Sequence, residues 1–184
     1  MKISILSALL LLAVLCGAYF VRSQETQKPQ TLKFKVPAGW VEEERSSSMR
    51  VAQYKLPRAE GDTEDASLVL YYFGKGQGGS TSANIERWAS QMQTPEGAAK
   101  EKLAEESFNS TGGLKVTAVD AKGTYVAESA PGSGTFHNKP GYRMRAAVVE
   151  TPNGSYFVKL VGPEKTVTRW DESFMSYLRS FELK

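Results

Sequence analysis

Three short segments of this sequence hold residue types that could bind or react with a ligand. In the first, residues 74–79 read Gly-Lys-Gly-Gln-Gly-Gly and match the spacing G-x-G-x-x-G. Such a loop brings backbone N–H groups close to a phosphate when it joins a strand to a helix in a βαβ unit. The sequence predicts no parallel βαβ unit of the right length here, and no Lys precedes Ser80 as in a P-loop. We therefore expect a flexible loop, and its candidates for contact with a ligand or partner are Gly74, Lys75, Gly76 and Gln77.

The second segment is acidic. Residues 60–65 read Glu-Gly-Asp-Thr-Glu-Asp and place four carboxylates in six positions. Calcium is bound by oxygen-rich loops of this kind, but the EF-hand spacing and its Glu at the twelfth position are missing. We expect a solvated loop without a metal. The alternative is a calcium-binding accessory module, whose ligands would be Glu60, Asp62, Glu64 and Asp65.

The third segment contains the only histidine, His137, beside Asn138 and Lys139 in a Gly- and Pro-rich stretch. A catalytic histidine needs a nucleophile and an orienting carboxylate close to it in space. The serines of this chain do not occur in a G-x-S-x-G elbow. We therefore expect these three residues to belong to an exposed binding loop. The alternative is a hydrolase in which His137 acts with loop serines or carboxylates.

Composition excludes several classes of site. The formal net charge is only +3, which argues against the dominant basic face of a nucleic-acid-binding protein. The one cysteine, Cys16, lies in an apolar N-terminal run, so the remaining chain has neither a disulfide nor a thiolate zinc site. We predict no cofactor.

That N-terminal run fixes the compartment. Residues 3–21 are almost entirely apolar, which is typical of an export signal or a membrane anchor. The run can be removed by cleavage between Ser23 and Gln24, it can be lipidated at Cys16, or it can remain as a membrane-spanning helix. All three fates place the body of the protein outside the cytoplasm, either periplasmic or secreted, or tethered to the membrane by residues 3–21.

The rest of the chain reads as a linker and one domain. Residues 24–31 are polar and form the linker, and residues 32–184 form a single globular domain. We predict strands at 32–36, 49–56, 67–73, 114–119, 123–129, 142–150 and 155–161, and helices at 82–94 and 166–181, with 98–108 ambiguous. Long loops are predicted at 74–80 and 130–140. Asn153-Gly154 predicts a type I′ hairpin turn between the last two strands.

This order of elements predicts an α+β fold, with a central, mostly antiparallel curved sheet flanked by two amphipathic helices. Arg143 and Arg145 share one face of a predicted strand. We expect that face to be solvated and to carry cross-strand ion pairs, although an anion-binding face is the alternative.

A family resemblance supports this architecture. Residues 34–40, Phe-Lys-Val-Pro-Ala-Gly-Trp, resemble the F-x-V-P-x-x-W opening of the PsbP-like fold, which is shared with Mog1 and with bacterial envelope lipoproteins of the DcrB type. The Tyr156–Leu160 strand and Trp170 in the last helix fit the same pattern. The resemblance implies an α/β/α sandwich, in which an antiparallel sheet has helices on both sides, and a mostly non-enzymatic role.

Together these observations predict an exported, non-catalytic envelope domain that acts as a binding or accessory module for a protein or a small ligand. Its partner is an unknown envelope protein or small molecule. It contacts the membrane only through an uncleaved or lipidated N-terminal segment, and it binds no nucleic acid.

Overall fold

The computed structural model describes residues 31–94, 103–130 and 132–184. The predictions for the leader, including cleavage between Ser23 and Gln24 and lipidation of Cys16, lie outside the described residues, as does the linker up to residue 30. Residues 31–184 form one compact unit.

Ten strands and three helices are described in this unit. The strands are β1 (Leu32–Lys33), β2 (Val41–Glu42), β3 (Arg50–Leu56), β4 (Ala66–Tyr72), β5 (Met92–Gln93), β6 (Ala104–Asn109), β7 (Lys115–Tyr125), β8 (Lys139–Val149), β9 (Tyr156–Pro163) and β10 (Glu182–Leu183). The helices are α1 (Thr81–Ser90), α2 (Glu164–Arg169) and α3 (Asp171–Arg179).

The main sheet is open and antiparallel. Its strand order is β2-β3-β4-β9-β8-β7-β5, and β6 also pairs with β7. Every strand pair in the described residues is antiparallel, including the separate two-stranded sheet of β1 and β10. The predicted α+β class with a mostly antiparallel sheet is confirmed.

Helices cover both faces of the sheet. Successive side chains of a strand point to opposite faces, and β8 shows this directly. Its residues Met144, Ala146 and Val148 pack in a cluster with Trp88 of α1. The intervening residues, such as Ala147, pack with α2 and α3 in the second and larger cluster. We call these two sides of the sheet the α1 face and the α3 face.

The α1 helix begins at Thr81, one residue before the predicted start at 82. Its N-cap is Ser80, whose hydroxyl accepts a hydrogen bond from the backbone N of Ala83 at 3.2 Å. Such a cap satisfies a backbone donor that has no partner within the helix. The buried side chain of Asn84 donates to the carbonyls of Gly78 and Ser80, at 2.8 and 2.9 Å, so the start of the helix is tied to the preceding loop.

Several predicted boundaries are wrong. The two strands predicted at 114–119 and 123–129 are one strand, β7, because Asp120 finds arginine partners on β8 and keeps its place in the ladder. The helix predicted at 82–94 ends at Ser90, and the chain continues as β5. The ambiguous segment 98–108 contains the strand β6 where it is described.

The predicted C-terminal helix, 166–181, is divided at Trp170 into α2 and α3. Trp170 has φ −97° and ψ 4°, and its indole N–H donates to the carbonyl of Pro57 at 2.8 Å. Its ring lies where a Cβ on Gly39 would come within 2.8 Å. The tertiary contact of this indole therefore accompanies a break that helical periodicity does not predict.

The β8–β9 hairpin is confirmed, but its turn is not type I′. That turn needs positive φ at both central residues, and only Gly154 has a positive φ, of 111°. Gly154 N donates to the carbonyl of Thr151 at 3.1 Å, which places Pro152 at the second position of the turn. Proline fixes φ near −65°, so the mirror-image turn is excluded.

Candidate functional site

The candidate site is an open groove on the α1 face, with a volume of about 340 Å³. We call it the tyrosine groove. Its lining residues are Arg50, Glu64, Asp65, Ser67, Val69, Tyr71, Tyr125, His137, Lys139, Tyr142, Lys159, Val161 and Gly162.

Strand register builds the floor of the groove. In β4, Ser67, Val69 and Tyr71 alternate with residues of the opposite core and so share the α1 face. Val69 pairs with Lys159 of β9, and Tyr71 pairs with Arg50 of β3. The sheet thus places one cationic side chain on each flank of β4, above a central row of smaller and aromatic residues.

One wall of the groove is a stack of rings. Tyr125, at the end of β7, lies between His137 and Tyr142, with ring centroid distances of 5.3 and 6.2 Å. Burial raises the pKa of Tyr125 to about 12, and burial together with a hydrogen bond to Glu64 raises that of Tyr142 to about 12. Both phenols therefore stay protonated at neutral pH. They offer ring faces to a ligand and are poor acid–base groups, and the O–H of Tyr142 is already donated to Glu64.

Lys159 extends from the floor toward this wall. Its Nζ donates to Gln91 Oε1 at 2.5 Å and to the Tyr125 hydroxyl at 3.0 Å, and it lies 4.8 Å from the centroid of the Tyr125 ring. Burial, reinforced by the charge of Arg87, lowers the pKa of Lys159 to about 8. The amine is therefore mostly protonated at pH 7, in a half-buried site with neutral hydrogen-bond partners.

The acidic end of the groove is neutralised internally. Glu64 accepts hydrogen bonds from Lys139 and from Tyr142, the latter at 2.9 Å. The bond from Lys139, followed by that from Tyr142, holds the pKa of Glu64 below its usual range. Asp65 accepts from the backbone N of Arg58 at 2.9 Å and lies 4.0 Å from Nζ of Lys55. Both carboxylates thus have their own partners.

The four carboxylates predicted as calcium candidates diverge. Asp62 accepts from both N and Oγ1 of Thr166 in α2, whereas Glu64 and Asp65 face the tyrosine groove. Glu60 is exposed. Within the described ranges, no three His, Cys, Asp or Glu side chains are grouped so that they could hold a metal ion.

The structure brings some of the predicted binding residues together and separates others. His137 and Lys139 line the tyrosine groove, and Asn138 is exposed between them. Gly74, Lys75, Gly76 and Gln77 follow the C-terminal end of β4, whereas His137 precedes the N-terminal end of β8. Both strands are antiparallel to β9, so these loops lie at opposite ends of the sheet. A binding role for either loop stays a prediction.

His137 is held as part of the ring stack. Its backbone N donates to the carbonyl of Ala127 at 2.9 Å, and its ring lies at 24° to that of Tyr125. Among the hydrogen bonds of the described residues, none joins its imidazole to a hydroxyl or a carboxylate. The hydrolase alternative stays a prediction.

Sequence reasoning missed Arg50, Tyr71 and Lys159. Tyr71 lies in the apolar stretch predicted as the strand at 67–73, and apolar composition alone predicts burial in the core, whereas its ring is half-buried and lines the tyrosine groove. Lys159 carried a usable signal, because it is one lysine within an apolar stretch predicted as an internal strand. Arg50 carried none, because alternation alone does not say which polar face of a strand meets a cavity.

A second cavity, of about 870 Å³, lies between α1 and the strands β6 and β7. Its walls include Ile85 and Ala89 of α1, Leu103, and Ser107 of β6. The chain that connects these walls, residues 95–102, lies outside the described residues. We assign this cavity no function, since the tyrosine groove is the one in which aromatic and charged side chains meet.

Arg143 and Arg145 are not on a solvated face. They lie on the α3 face with relative exposures of 6% and 9%, where both contact Asp120 and Asp171. The predicted cross-strand ion pair is present, since Asp120 and Arg145 are directly opposite in the β7–β8 register. Its setting is an interface with α3 and not a solvent-exposed surface.

Comparison with known proteins identifies the fold but no family. No family model matches the sequence, and no curated protein matches it. Among solved structures, the chain is similar to LpqN of Mycobacterium tuberculosis, described as involved in cell envelope biogenesis, with 12% identity and a TM-score of 0.53 over 86% of this chain and 87% of LpqN. It is also similar to the Pseudomonas aeruginosa protein PA94, described as a protein of unknown function and putative regulator, with 12% identity and a TM-score of 0.45 over 85% of both chains.

The likeness to LpqN shows a shared fold. None of the helices in the described part of the chain is long and apolar enough to cross a membrane.

Proposed function

We propose that this protein is an exported, non-catalytic accessory module of the cell envelope, and that it binds a small ligand in the tyrosine groove. One observation carries the proposal. Side chains from β3, β4, β7, β8, β9 and two connecting loops converge on one open groove that offers ring faces, the hydroxyl of Tyr125 and cations. Ligand sites in proteins typically combine apolar walls with a few well-placed polar groups in this way.

The envelope assignment rests on two independent supports. The apolar leader at residues 3–21 is typical of exported proteins. LpqN, which is similar in fold, is described as involved in cell envelope biogenesis. We further propose that the domain belongs with the PsbP-like and Mog1-like sandwiches, because residues 34–40 carry that motif and helices pack on both faces of the sheet.

A small ligand fits the groove better than a protein partner. The volume of about 340 Å³ is within the range of small-molecule sites, which begins at about 300 Å³. The groove is also recessed between the 57–65 loop and the ring stack of Tyr125. A protein partner would need a larger surface, of about 800 Å² on each side.

A ligand-capture experiment tests the proposal. The full chain is expressed with its leader, recovered from the cell envelope fraction and examined by native mass spectrometry for a co-purifying small molecule. Ser67→Trp fills the groove from its floor, and we expect it to lose the bound mass. The matched control, Lys122→Trp, places the same indole on the α3 face and should keep it.

Two results would contradict the proposal. One is a chain that is found only in the cytosol. The other is an exported protein in which the wild type and Ser67→Trp carry the same bound mass, or in which neither carries any. Circular dichroism must show that Ser67→Trp and Lys122→Trp are both folded. Turnover of a broad ester panel that depends on His137 would favour the hydrolase alternative.

A further inference from the structure

We propose that the ligand of the tyrosine groove is a small organic anion, whose carboxylate or phosphate oxygens accept hydrogen bonds from Lys159 and Arg50 while its ring lies against the groove's aromatic side chains. This inference rests on the proposed function, because it names the chemical class of the ligand for the same site.

The two cations that flank the floor have neutral partners. Arg50 Nη1 donates to Gln53 Oε1 at 2.7 Å, and Lys159 donates to Gln91 and to Tyr125. Within the described residues, neither cation has a carboxylate oxygen within the 4.0 Å of an ion pair. Among the described residues, no carboxylate contacts either cation directly. The carboxylate of Glu43 is one hydrogen bond further from Arg50, because it accepts from Gln53 Nε2 at 3.1 Å.

The acids of the groove do not supply the missing counter-charge. Glu64 is bonded to Lys139 and Tyr142, and Asp65 is engaged by Lys55 and by the backbone N of Arg58. The remaining charge in the groove is thus positive and is concentrated at its floor. An anion entering there would meet two hydrogen-bond donors and would not have to displace an existing ion pair.

Desolvation strengthens the argument for Lys159. Moving an ammonium group out of water costs free energy unless an opposite charge compensates it. The neutral oxygens around Lys159 compensate it only in part, which is why burial lowers its pKa. An anionic ligand would compensate the remaining desolvation cost of the ammonium group. The groove should therefore bind an anion more tightly than a neutral molecule of the same shape.

The geometry of the strands suits a small ring-bearing anion. β3 and β9 lie on either side of β4, so Arg50 and Lys159 arise from strands about 10 Å apart. Val69 and Tyr71 lie between them on β4, with the guanidinium carbon of Arg50 5.6 Å from the centroid of the Tyr71 ring. A ligand that lies across β4 can place a ring over these side chains and its oxygens at the cations.

Matched probes test the charge requirement. The exported protein, purified as the cell processes it and labelled with ¹⁵N, is titrated with benzoate, phenyl phosphate, inorganic phosphate and benzamide, and binding is read from amide shifts. We expect benzoate or phenyl phosphate to shift amides of β4 and β9 around the groove. Benzamide, which is isosteric with benzoate but neutral, should bind at least about tenfold more weakly, since charge-assisted hydrogen bonds are worth about that factor.

Two variants identify the cations that bind the anion. Lys159→Met should weaken binding of the preferred anion by about tenfold or more, and Arg50→Gln should act in the same direction. Lys122→Met is the matched control, because it removes the same charge from an exposed lysine on the α3 face, which pairs with Glu164. It should leave binding unchanged. The two anionic arms distinguish a carboxylate ligand from a phosphate ligand, and inorganic phosphate reports whether the ring is needed.

The inference is overturned if benzamide binds as tightly as benzoate, if neither anion shifts groove amides, or if Lys159→Met binds anions as the wild type does. These failures are separable from failure of the proposed function. A co-purifying mass that Ser67→Trp removes, together with equal binding of benzamide and benzoate, would keep the groove as a ligand site and reject only its preference for anions.

Discussion

Arg143 of β8 donates two parallel hydrogen bonds to the carboxylate of Asp120 in β7, from Nε to Oδ1 at 2.9 Å and from Nη2 to Oδ2 at 2.6 Å. Arg145 adds a contact to the same carboxylate at 3.1 Å, and Asp171 of α3 contacts both arginines. This four-residue cluster links the sheet to the first turn of α3 through nearly buried charges. The five predictions that follow all concern stability, and the first two test this cluster directly.

Removing the charge of Asp120 should destabilise the fold strongly. Asp120→Asn leaves Arg143 and Arg145 with Asp171 as their only carboxylate partner within the described residues. Breaking a buried ion pair from one side typically costs about 3–5 kcal/mol of the free energy of unfolding. Urea denaturation measures the loss. The control, Glu150→Gln, removes an exposed partner of Lys115 and should cost no more than about 1 kcal/mol. Equal losses in the two variants would contradict a special role for the buried cluster.

The same carboxylate predicts an acid-sensitive contribution to stability. Burial opposes ionisation of Asp120, but the hydrogen bonds and charges of Arg143 and Arg145 outweigh it and lower its pKa below 3.8. A lowered carboxyl pKa stabilises the folded state above the unfolded pKa, and this stabilisation is lost as pH falls through the folded pKa. The difference in unfolding free energy between wild type and Asp120→Asn should be constant from about pH 5 to 7 and shrink below about pH 4. A difference that stays constant down to pH 2 would argue against this origin.

Asp62 should act as a structural clamp on α2. Its Oδ2 accepts hydrogen bonds from Thr166 N at 2.9 Å and from Thr166 Oγ1 at 2.6 Å, so one carboxylate oxygen satisfies two donors. Asp62→Ala should lower the free energy of unfolding by about 1–2 kcal/mol, as loss of a helix cap does. Glu60→Ala, two residues earlier in the same loop but exposed, should change it by less than about 0.5 kcal/mol. Thermal denaturation of both variants makes the comparison, and a larger effect at Glu60 would be inconsistent with the clamp.

Two glycines of the 74–80 loop should respond differently to alanine. Gly76 and Gly78 both have positive φ, of 73° and 87°, so each pays the backbone cost of about 1 kcal/mol when replaced. A Cβ on Gly76 meets nothing within 4 Å, whereas one on Gly78 lies 2.5 Å from the buried ring of Phe157. Gly78→Ala should therefore cost about 1–3 kcal/mol more than Gly76→Ala, because the core must shift. Chemical denaturation decides, and equal costs would mean that the ring of Phe157 relaxes freely.

The charged form of Lys159 should lower the free energy of unfolding at neutral pH, and this loss should disappear as the pH rises and the amine is deprotonated. Its pKa falls from 10.5 to about 8 on folding, so the unfolded chain binds more protons between these values. The contribution of this group to stability therefore rises with pH in that window. Relative to Lys159→Met, the wild type should gain stability as pH increases from 7 to 10.

Other titrating groups act on this measurement, and the comparison with Lys159→Met is chosen to cancel them. The charged and titratable groups around the groove are Arg50, Glu64, Asp65, Tyr71, Arg87, Tyr125, His137, Lys139 and Tyr142. The raised pKa values of Tyr125 and Tyr142 destabilise the fold as pH rises above 10, in the wild type and the variant alike. Parallel pH profiles for the two proteins would show that Lys159 is not desolvated.

Local patterns predicted the elements whose own residues define them. Alternation identified β3, continuous apolar composition identified β4, and the Tyr142–Val161 region was recognised as a hairpin because its two strands are adjacent in sequence. The failures came where a distant residue changed the local preference. Asp120 stays inside β7 because arginines on β8 satisfy it, and Trp170 marks the break between α2 and α3 where its indole reaches Pro57.

The same division holds for the candidate site. His137, Lys139, Glu64 and Asp65 were singled out by residue type and local composition, and all four line the tyrosine groove. Their grouping with Arg50, Tyr71 and Lys159 follows from strand order, which brings β3 and β9 to either side of β4 although they are about 100 positions apart in the chain. Spacing along the sequence does not show that β3 and β9 lie close together in space.

The sequence by itself determined the α+β class, the antiparallel pairing and the alternation that gives each strand two different faces, because these follow from period, turn residues and hydrophobicity over a few neighbouring positions. Only the tertiary structure decided which faces meet. Three features depend on contacts between segments far apart in the chain: the burial of Arg143 beneath α3, the neutral partners of Lys159, and the separation of residues 74–77 from His137. The free energies of such contacts are set by distance and desolvation in three dimensions.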